Sequence, residues 1–176
     1  MIINHKHKYI FIHIPKCAGT SVTKALYAFS NKHDLFLGCG CGPEKLTKED
    51  GFTLHKHSPA LDIKTYATPE RWKEYFIFSF VRHPIDRIIS LYEWWKETNG
   101  SWDPETKNKI CKMTFKEFVF SDHTGRNQTE FLISGNENKH HFTDAKYSIE
   151  VDQALANVGD LQNIWNHSHT QWMWKH

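Results

Sequence analysis

The sequence predicts an α/β fold in which helices cover both faces of a central parallel sheet, giving three layers in the order α/β/α. Two apolar segments, residues 9–14 and 75–81, consist mostly of aromatic and β-branched residues, which are typical of buried strands. A short turn follows each segment, and a stretch of helical periodicity follows each turn. Two strand-turn-helix units of this kind favour parallel strands with both turns at the carboxyl edge of the sheet.

The first half of the chain contains the first of these units and then less regular segments. Four apolar residues at helical spacing mark its helix: Val22, Ala25, Leu26 and Phe29. Residues 31–51 are rich in Gly, Lys and acidic residues, so we expect mainly a surface excursion. Residues 59–66 predict at most a weak helix. Thr68 as N-cap and Pro69 at the first helical position predict a brief one.

The second unit has a basic turn, Arg82-His83-Pro84, between its strand and its helix. Five residues form the apolar stripe of the helix: Ile85, Ile88, Ile89, Tyr92 and Trp95. We expect Asp86 and Arg87 on the same helix to pair locally or to face solvent. Residues 99–112 are polar and turn-prone, and they predict a mobile connection.

The remaining segments carry weaker patterns. A capping box over residues 114–117 predicts another helix, and a short apolar segment lies within 128–133. Residues 135–141 predict a polar loop, and residues 151–158 predict a helix before an aromatic-rich tail.

Composition limits the classes of protein to consider. The 176 residues predict a single domain spanning 1–176, and a net charge of +2 with mixed signs excludes a basic arm for nucleic acid. No apolar run approaches the roughly 20 residues that a membrane span needs. We expect a soluble, cytoplasmic protein with reduced thiols at its four cysteines, Cys17, Cys39, Cys41 and Cys111. Cys39-Gly40-Cys41 lacks the second pair that a zinc site would require.

The turn after the first strand has the composition of an anion-binding loop. Ala18 and Gly19 let the backbone approach a ligand, and the free N–H groups of the following helix point into the turn. Lys16 adds a charge, and Thr20 and Ser21 add hydroxyl donors. The pattern differs from the nucleoside-triphosphate loop, in which the lysine follows the last glycine instead of preceding it.

Two motifs together resemble the sulfotransferases that use 3′-phosphoadenosine 5′-phosphosulfate (PAPS). The first motif reads His13-Ile14-Pro15-Lys16-Cys17-Ala18-Gly19-Thr20-Ser21 and is most similar to that of carbohydrate sulfotransferases of the sulfotransferase family 2, heparan and chondroitin type. The second motif spans residues 80–92 and resembles the 3′-phosphate motif of that family. The resemblance covers roughly residues 9–133. It implies a P-loop-like fold, no metal, and a saccharide or other hydroxyl-bearing acceptor.

The resemblance also implies roles for single residues. Lys16, with Ala18, Gly19, Thr20 and Ser21, would hold the 5′-phosphosulfate and neutralise the leaving phosphate. In the second motif, Arg82 and Ser90 would hold the 3′-phosphate.

The general base is expected in the histidine segment at 55–57. His57 stands where similar sequences of the family place a histidine, and a neutral imidazole with an ordinary pKa of about 6.5 suits this role. His55 is the alternative. Arg126 and Gln128 lie in a segment that resembles a family segment near the donor or acceptor.

One departure from the family lies near the end of the chain. Residues 159–164 only weakly resemble a family stretch of Gly-Arg-Phe-Glu-Asn-Leu type, and the sequence stops at His176, which predicts a shortened or altered C-terminal end. A catalytically silent nucleotide-binding protein of the same fold stays open for this reason. An ATP-dependent phosphotransferase is a further alternative, which the order of Lys16 and Gly19 opposes.

Overall fold

The computed structural model describes residues 1–98, 103–132 and 171–175. These residues fall into two compact units. The first unit contains residues 1–81, 127–132 and 171–175, and the second contains residues 82–98 and 103–126. The single domain over 1–176 stays a prediction.

The described residues form a mixed α/β structure. They contain seven strands: β1 (Ile2–Asn4), β2 (Tyr9–Ile12), β3 (Leu35–Phe36), β4 (Lys45–Thr47), β5 (Thr53–His55), β6 (Phe76–Arg82) and β7 (Gln171–Lys175). They also contain seven α-helices: α1 (Gly19–Tyr27), α2 (Ala60–Tyr66), α3 (Pro69–Glu74), α4 (Pro84–Glu97), α5 (Pro104–Lys112), α6 (Phe115–Val119) and α7 (Gln128–Leu132). A 3₁₀ turn spans Asp122–Thr124.

The parallel pairing of β2 with β6 confirms the central prediction from the sequence. Tyr9 lies opposite Phe76, and Ile12 lies opposite Ser79. The hydroxyl of Ser79, which is fully buried, donates to the Ile12 carbonyl oxygen across the pair at 2.7 Å. Both strands therefore end at the same edge of the sheet.

The sheet as a whole is mixed, so the prediction of a wholly parallel central sheet was wrong. Five strands follow the order β3-β1-β2-β6-β7, and β1 runs antiparallel to both β2 and β3. The reason is the short connection over residues 5–8, since a turn of this length can only join antiparallel strands. The Asp34 carboxylate holds this turn by accepting from Asn4 Nδ2 at 2.8 Å and from the His5 amide at 2.7 Å.

The interpretation of residues 31–51 as mainly a surface excursion was also wrong in part. Phe36 and Leu37 are 5% and 0% exposed, because β3 adds to the main sheet. β4 pairs with β5 in a separate two-stranded sheet. Strands of two or three residues are too short to show a clear alternation of apolar and polar residues, so the sequence of a segment rich in Gly and Lys does not reveal them.

Helix α1 confirms the helix predicted after the first turn, although its apolar stripe differs. Val22 and Leu26 pack against the core formed by Ile2, Phe11 and Phe36. Phe29 lies beyond the last helical residue and is 61% exposed. The helix ends at Tyr27, so Phe29, seven residues after Val22, cannot continue the apolar stripe into the core.

The two short helices before β6 differ in how well the sequence predicted them. α2 is a complete helix despite its weak pattern, because Ala60 and Ile63 are fully buried and tertiary packing stabilises it. α3 is as brief as predicted, and Thr68 caps it by accepting from the Arg71 amide.

The second unit has its own core of four residues, Tyr92, Trp95, Ile110 and Phe118. The mobile connection predicted for 99–112 was wrong from residue 104 onward, where α5 forms. The Asp103 side chain caps α5 by accepting from the Thr106 amide at 3.0 Å. The Lys107 ammonium group donates to three carbonyl oxygens at the end of α4, those of Trp95, Lys96 and Thr98.

Other predictions had mixed outcomes. The capping box between Thr114 and Glu117 is confirmed at the start of α6. The polar loop at 135–141, the helix at 151–158 and the weak motif at 159–164 lie outside the described residues. The three-layer arrangement stays a prediction. No helix in the described ranges has the length and apolar character needed to cross a membrane.

Candidate active site

The turn between β2 and α1 has an unusual backbone. Lys16 and Ala18 both adopt the left-handed conformation, with φ of 66° and 60°. We call residues 15–19 the anion loop. Alternation of left-handed with other residues turns successive backbone N–H groups toward one concave side, which is a geometry that binds anions.

Helix α1 begins inside the anion loop and adds to its positive potential. Gly19 is the first helical residue, and the N-cap residue Ala18 provides no side-chain hydrogen bond to the first turn. That turn contains no acidic residue, and the side chains of Thr20 and Ser21 are exposed. The first amides of this nine-residue helix are therefore suited to a phosphate or sulfate group.

A buried hydrogen bond supports the loop from below. Cys17 is 1% exposed, and its thiol donates to Oε1 of Gln128 at 3.2 Å. Gln128 is itself buried and is the first residue of α7. Gln128 thus acts on the anion loop through Cys17, which gives it a structural contact that the sequence did not reveal.

Gly19 is required because of the ring of His13. A Cβ atom at position 19 would lie 1.9 Å from Cδ2 and 2.2 Å from Nε2 of His13. These separations are far shorter than van der Waals contact. Position 19 therefore has no space for any side chain while the His13 ring keeps its place.

The His13 ring is enclosed on several sides. It stacks with Phe11 at a centroid distance of 6.0 Å and meets the ring of His57 edge-on at 4.5 Å. Its Nδ1 lies 3.8 Å from Sγ of Cys39, and that thiol also donates a weak hydrogen bond to the Thr20 hydroxyl at 3.6 Å. Burial, followed by the neighbouring positive groups, lowers the pKa of His13 to about 2.

The backbone of His13 determines the tautomer of His57. Nδ1 of His57 lies 2.9 Å from the His13 carbonyl oxygen. A carbonyl oxygen can only accept a hydrogen bond, so Nδ1 of His57 carries the proton. In the neutral ring Nε2 is then the basic atom, with a lone pair available for a proton.

The imidazole of His57 is neutral over the physiological pH range. Burial is the main cause and lowers its pKa to about 4, although the hydrogen bond to the His13 carbonyl acts in the opposite direction. The ordinary pKa of 6.5 expected from the sequence therefore does not apply. His57 is a weaker base than expected, but it stays unprotonated well below neutral pH.

The sequence model of a family described as the sulfotransferase family matches residues 1–149. The chain belongs to the sulfotransferase family. The match includes the anion loop, the histidine segment at 55–57 and the turn after β6, so the resemblance predicted from the sequence is confirmed at the level of the family. The search of curated proteins and the search of solved structures gave no match.

The second unit of this sulfotransferase contains the remaining predicted donor residues. Arg82 is the last residue of β6, and Ser90 lies in the second turn of α4; both side chains are half-buried. His83, the N-cap of α4, makes no side-chain hydrogen bond to its first turn. Whether Arg82 and Ser90 hold a phosphate stays a prediction.

Two charged residues of α4 are buried, so the alternative that they face solvent was wrong. Asp86 and Arg87 are 8% and 5% exposed. Nη2 of Arg87 donates to the carbonyl oxygen of Arg126 at 2.9 Å. Arg87 therefore fixes the backbone that presents the exposed side chain of Arg126, a role that the helical period alone does not indicate.

Among the predicted residues of the first unit, the structure gathers Gly19 and His57 around a common neighbour, His13. Sequence reasoning gave His13 no role in the sulfotransferase site. The available signal was its position as the one polar residue in the apolar segment 9–14. His55 is exposed, and its Nδ1 accepts from the His57 amide at 3.1 Å. No group of three or more His, Cys, Asp or Glu side chains suited to a metal occurs in the described residues, and none of the four cysteines forms a disulfide.

The contact between Gly19 and His13 predicts the effect of adding one methyl group. We expect Gly19→Ala to lower the free energy of unfolding by about 1–3 kcal/mol, because the buried ring has no space to retreat. The same substitution in a His13→Ala background should cost less, since the obstacle is gone. Urea denaturation of the four proteins measures this coupling. Lys24→Ala, on the exposed face of α1, is the control, and equal costs in both backgrounds would contradict the contact.

Two histidines, the buried His13 and the half-buried His57, predict a loss of stability in mild acid. Their pKa values lie at about 2 and about 4 in the folded protein, so between about pH 4 and 6.5 the unfolded chain binds more protons. Stability is therefore complete above about pH 6.5 and decreases as the pH falls, by up to about 1.4 kcal/mol per pH unit for each histidine.

Urea denaturation near neutral pH and near pH 5 tests this dependence. We expect the unfolding free energy to fall by on the order of 2–4 kcal/mol between the two conditions. His57→Gln should reduce that difference by about half, whereas the exposed His33→Ala should leave it unchanged. A difference unaffected by His57→Gln would show that this histidine is not buried in its neutral form.

Proposed function

We propose that this protein transfers a sulfuryl group from PAPS to a hydroxyl group of a saccharide, with His57 as the general base. The observation that carries the proposal is the anion loop, whose backbone is shaped for a phosphate and whose first helical residue contacts the same histidine that orients His57. Membership of the sulfotransferase family supports sulfuryl transfer as the reaction.

The anion loop and the start of α1 suit the 5′ end of the donor. The N–H groups of residues 18–20 and the hydroxyls of Thr20 and Ser21 would bind the 5′-phosphate. Lys16 would place its ammonium group at the bridging oxygen, where negative charge develops as the donor's sulfur–oxygen bond breaks. The residues present fit this group, because the loop combines donors with a single mobile positive charge.

The 3′-phosphate of the donor would be held by residues of the second unit. A guanidinium can donate two parallel hydrogen bonds to a phosphate, and Arg82 stands at the end of β6 with this capacity. Ser90 adds a hydroxyl donor from α4. Recognition of this phosphate would distinguish PAPS from nucleotides that lack it.

The chemistry assigned to the protein is proton acceptance, charge neutralisation and alignment. The donor supplies an activated sulfuryl group; an oxygen–sulfur bond to the acceptor forms as the bond from sulfur to the 5′-phosphate oxygen breaks. Nε2 of His57 accepts the proton of the attacking hydroxyl, and Nδ1–H stays on the His13 carbonyl. The products are the sulfate ester and adenosine 3′,5′-bisphosphate.

The saccharide acceptor rests on the resemblance of both motifs to carbohydrate sulfotransferases. A catalytically silent nucleotide-binding protein is the second candidate, since a pKa of about 4 makes His57 a weak base. An ATP-dependent phosphotransferase is disfavoured by the order of Lys16 and Gly19 in the loop.

Nucleotide titration tests the donor site in each unit separately. We expect adenosine 3′,5′-bisphosphate to bind without magnesium and more tightly than ATP with magnesium. Lys16→Ala should weaken binding of both the bisphosphate and adenosine 5′-monophosphate by about 10- to 100-fold, because a charged hydrogen bond contributes about 1.5–3 kcal/mol. Arg82→Ala should weaken the bisphosphate alone.

Isothermal titration calorimetry measures these affinities, with Lys24→Ala on the exposed face of α1 as the control for a general change of charge. Preference for ATP with magnesium would exclude both the PAPS-dependent sulfotransferase and the silent nucleotide-binding protein of the same fold. Equal losses for the two nucleotides in Arg82→Ala would show that Arg82 does not read the 3′-phosphate.

Transfer of labelled sulfate from PAPS to desulfated heparan and chondroitin chains tests the base. We expect His57→Ala to lower the rate by about 10²- to 10⁴-fold, as for loss of a positioned general base. His55→Ala should be much less affected, and the exposed His33→Ala should match the wild type. A larger loss of rate in His55→Ala than in His57→Ala would assign the base to His55. If the wild type binds the bisphosphate but transfers no sulfate, the silent protein is favoured.

A further inference from the structure

His13, the residue directly after β2, has three connections that bear on the proposed reaction. Its carbonyl oxygen accepts from Nδ1 of His57, its ring meets the His57 ring edge-on, and the same ring lies against Gly19. We propose that His13 is a positioning residue, whose imidazole is the spacer that holds His57 in its Nε2-basic tautomer beside the anion loop. This inference rests on the proposed function of His57.

The geometry explains why a spacer is needed. The hydrogen bond to the His13 carbonyl sets the tautomer of His57 only while the ring keeps this orientation, and a single hydrogen bond does not prevent the ring from rotating about its side-chain bonds. The edge-on contact at a centroid distance of 4.5 Å removes that freedom on one side. The absence of a side chain at Gly19 lets the His13 ring contact both the anion loop and the His57 ring.

The spacer also connects His57 with the donor-binding side of the loop. The Cys39 thiol lies 3.8 Å from Nδ1 of His13 and donates to the Thr20 hydroxyl at 3.6 Å. Thr20 is one of the residues proposed to bind the 5′-phosphate. His57 and the anion loop are thus connected through contacts of one buried ring, that of His13.

The groups around His57 determine how its pKa will change when the His13 ring is removed. His13 faces it from the residue after β2, and the ionisable groups that lower its pKa are Lys56, the amino group of Met1 and, more weakly, His55. Removing the His13 ring would admit water to the imidazole and leave those groups in place. The pKa of His57 should then rise toward its ordinary value, and both neutral tautomers should be populated.

Nuclear magnetic resonance of the intact chain measures the tautomer and pKa of His57 directly, with labelled imidazole nitrogens and no substrate. We expect one Nδ1–H tautomer in the wild type and in His13→Phe, which keeps a ring of similar size. In His13→Leu and His13→Ala we expect mixed tautomers and a raised pKa. Sulfate transfer should fall by about 10- to 100-fold in the latter two, since a small displacement of a catalytic group has effects of that order.

A cavity within β2 provides the matched control. Ile10 is fully buried in β2, three residues before His13, so Ile10→Ala should lower stability without changing the tautomer of His57. His13→Leu keeps the test possible if His13→Ala does not fold.

The outcomes separate this inference from the proposed function. A wild-type His57 signal in His13→Leu, or an equal change in Ile10→Ala, would overturn the positioning role. A changed His57 signal with unchanged sulfate transfer in His13→Leu would support the positioning role and overturn His57 as the base.

Discussion

The packing of the His13 ring against Gly19 is the constraint on which the candidate site depends. It requires a residue without a side chain where α1 begins, and it keeps that helix start close to the end of β2. The same histidine accepts a hydrogen bond from His57 through its backbone carbonyl and limits rotation of that ring through its side chain. One buried residue thus contacts both the anion loop and a neutral imidazole, the two features on which the proposed sulfuryl transfer depends.

The site is built at the end of a parallel pair of strands within a mixed sheet. β2 and β6 run in the same direction, while β1 lies on the other side of β2 and is antiparallel both to β2 and to β3. The β1–β2 hairpin and the Asp34 carboxylate that holds it add a rigid support at the other end of β2. The anion loop therefore follows a strand, β2, that is paired on both sides.

The sequence predicted those parts of the fold in which local pattern and tertiary structure agree. The long apolar segments at 9–14 and 75–81 and the caps at Thr68 and Thr114 have strong local signals, and each forms as expected. Strands of two or three residues and the helix at 60–66 are stabilised by burial against distant residues, which periodicity does not register. The burial of Arg87 and the lowered pKa of His57 are likewise products of packing, so composition alone could not predict them.

The left-handed backbone at Lys16 and Ala18 has a consequence for ligand recognition. Each non-glycine residue in this conformation raises the energy of the chain by about 1 kcal/mol or more, and the surrounding contacts must compensate for it. The loop has its curvature before any anion arrives, so folding itself bears the entropic and steric cost of shaping the site. Preorganisation of this kind allows a ligand to bind with little rearrangement, and it makes affinity sensitive to the stability of the whole first unit.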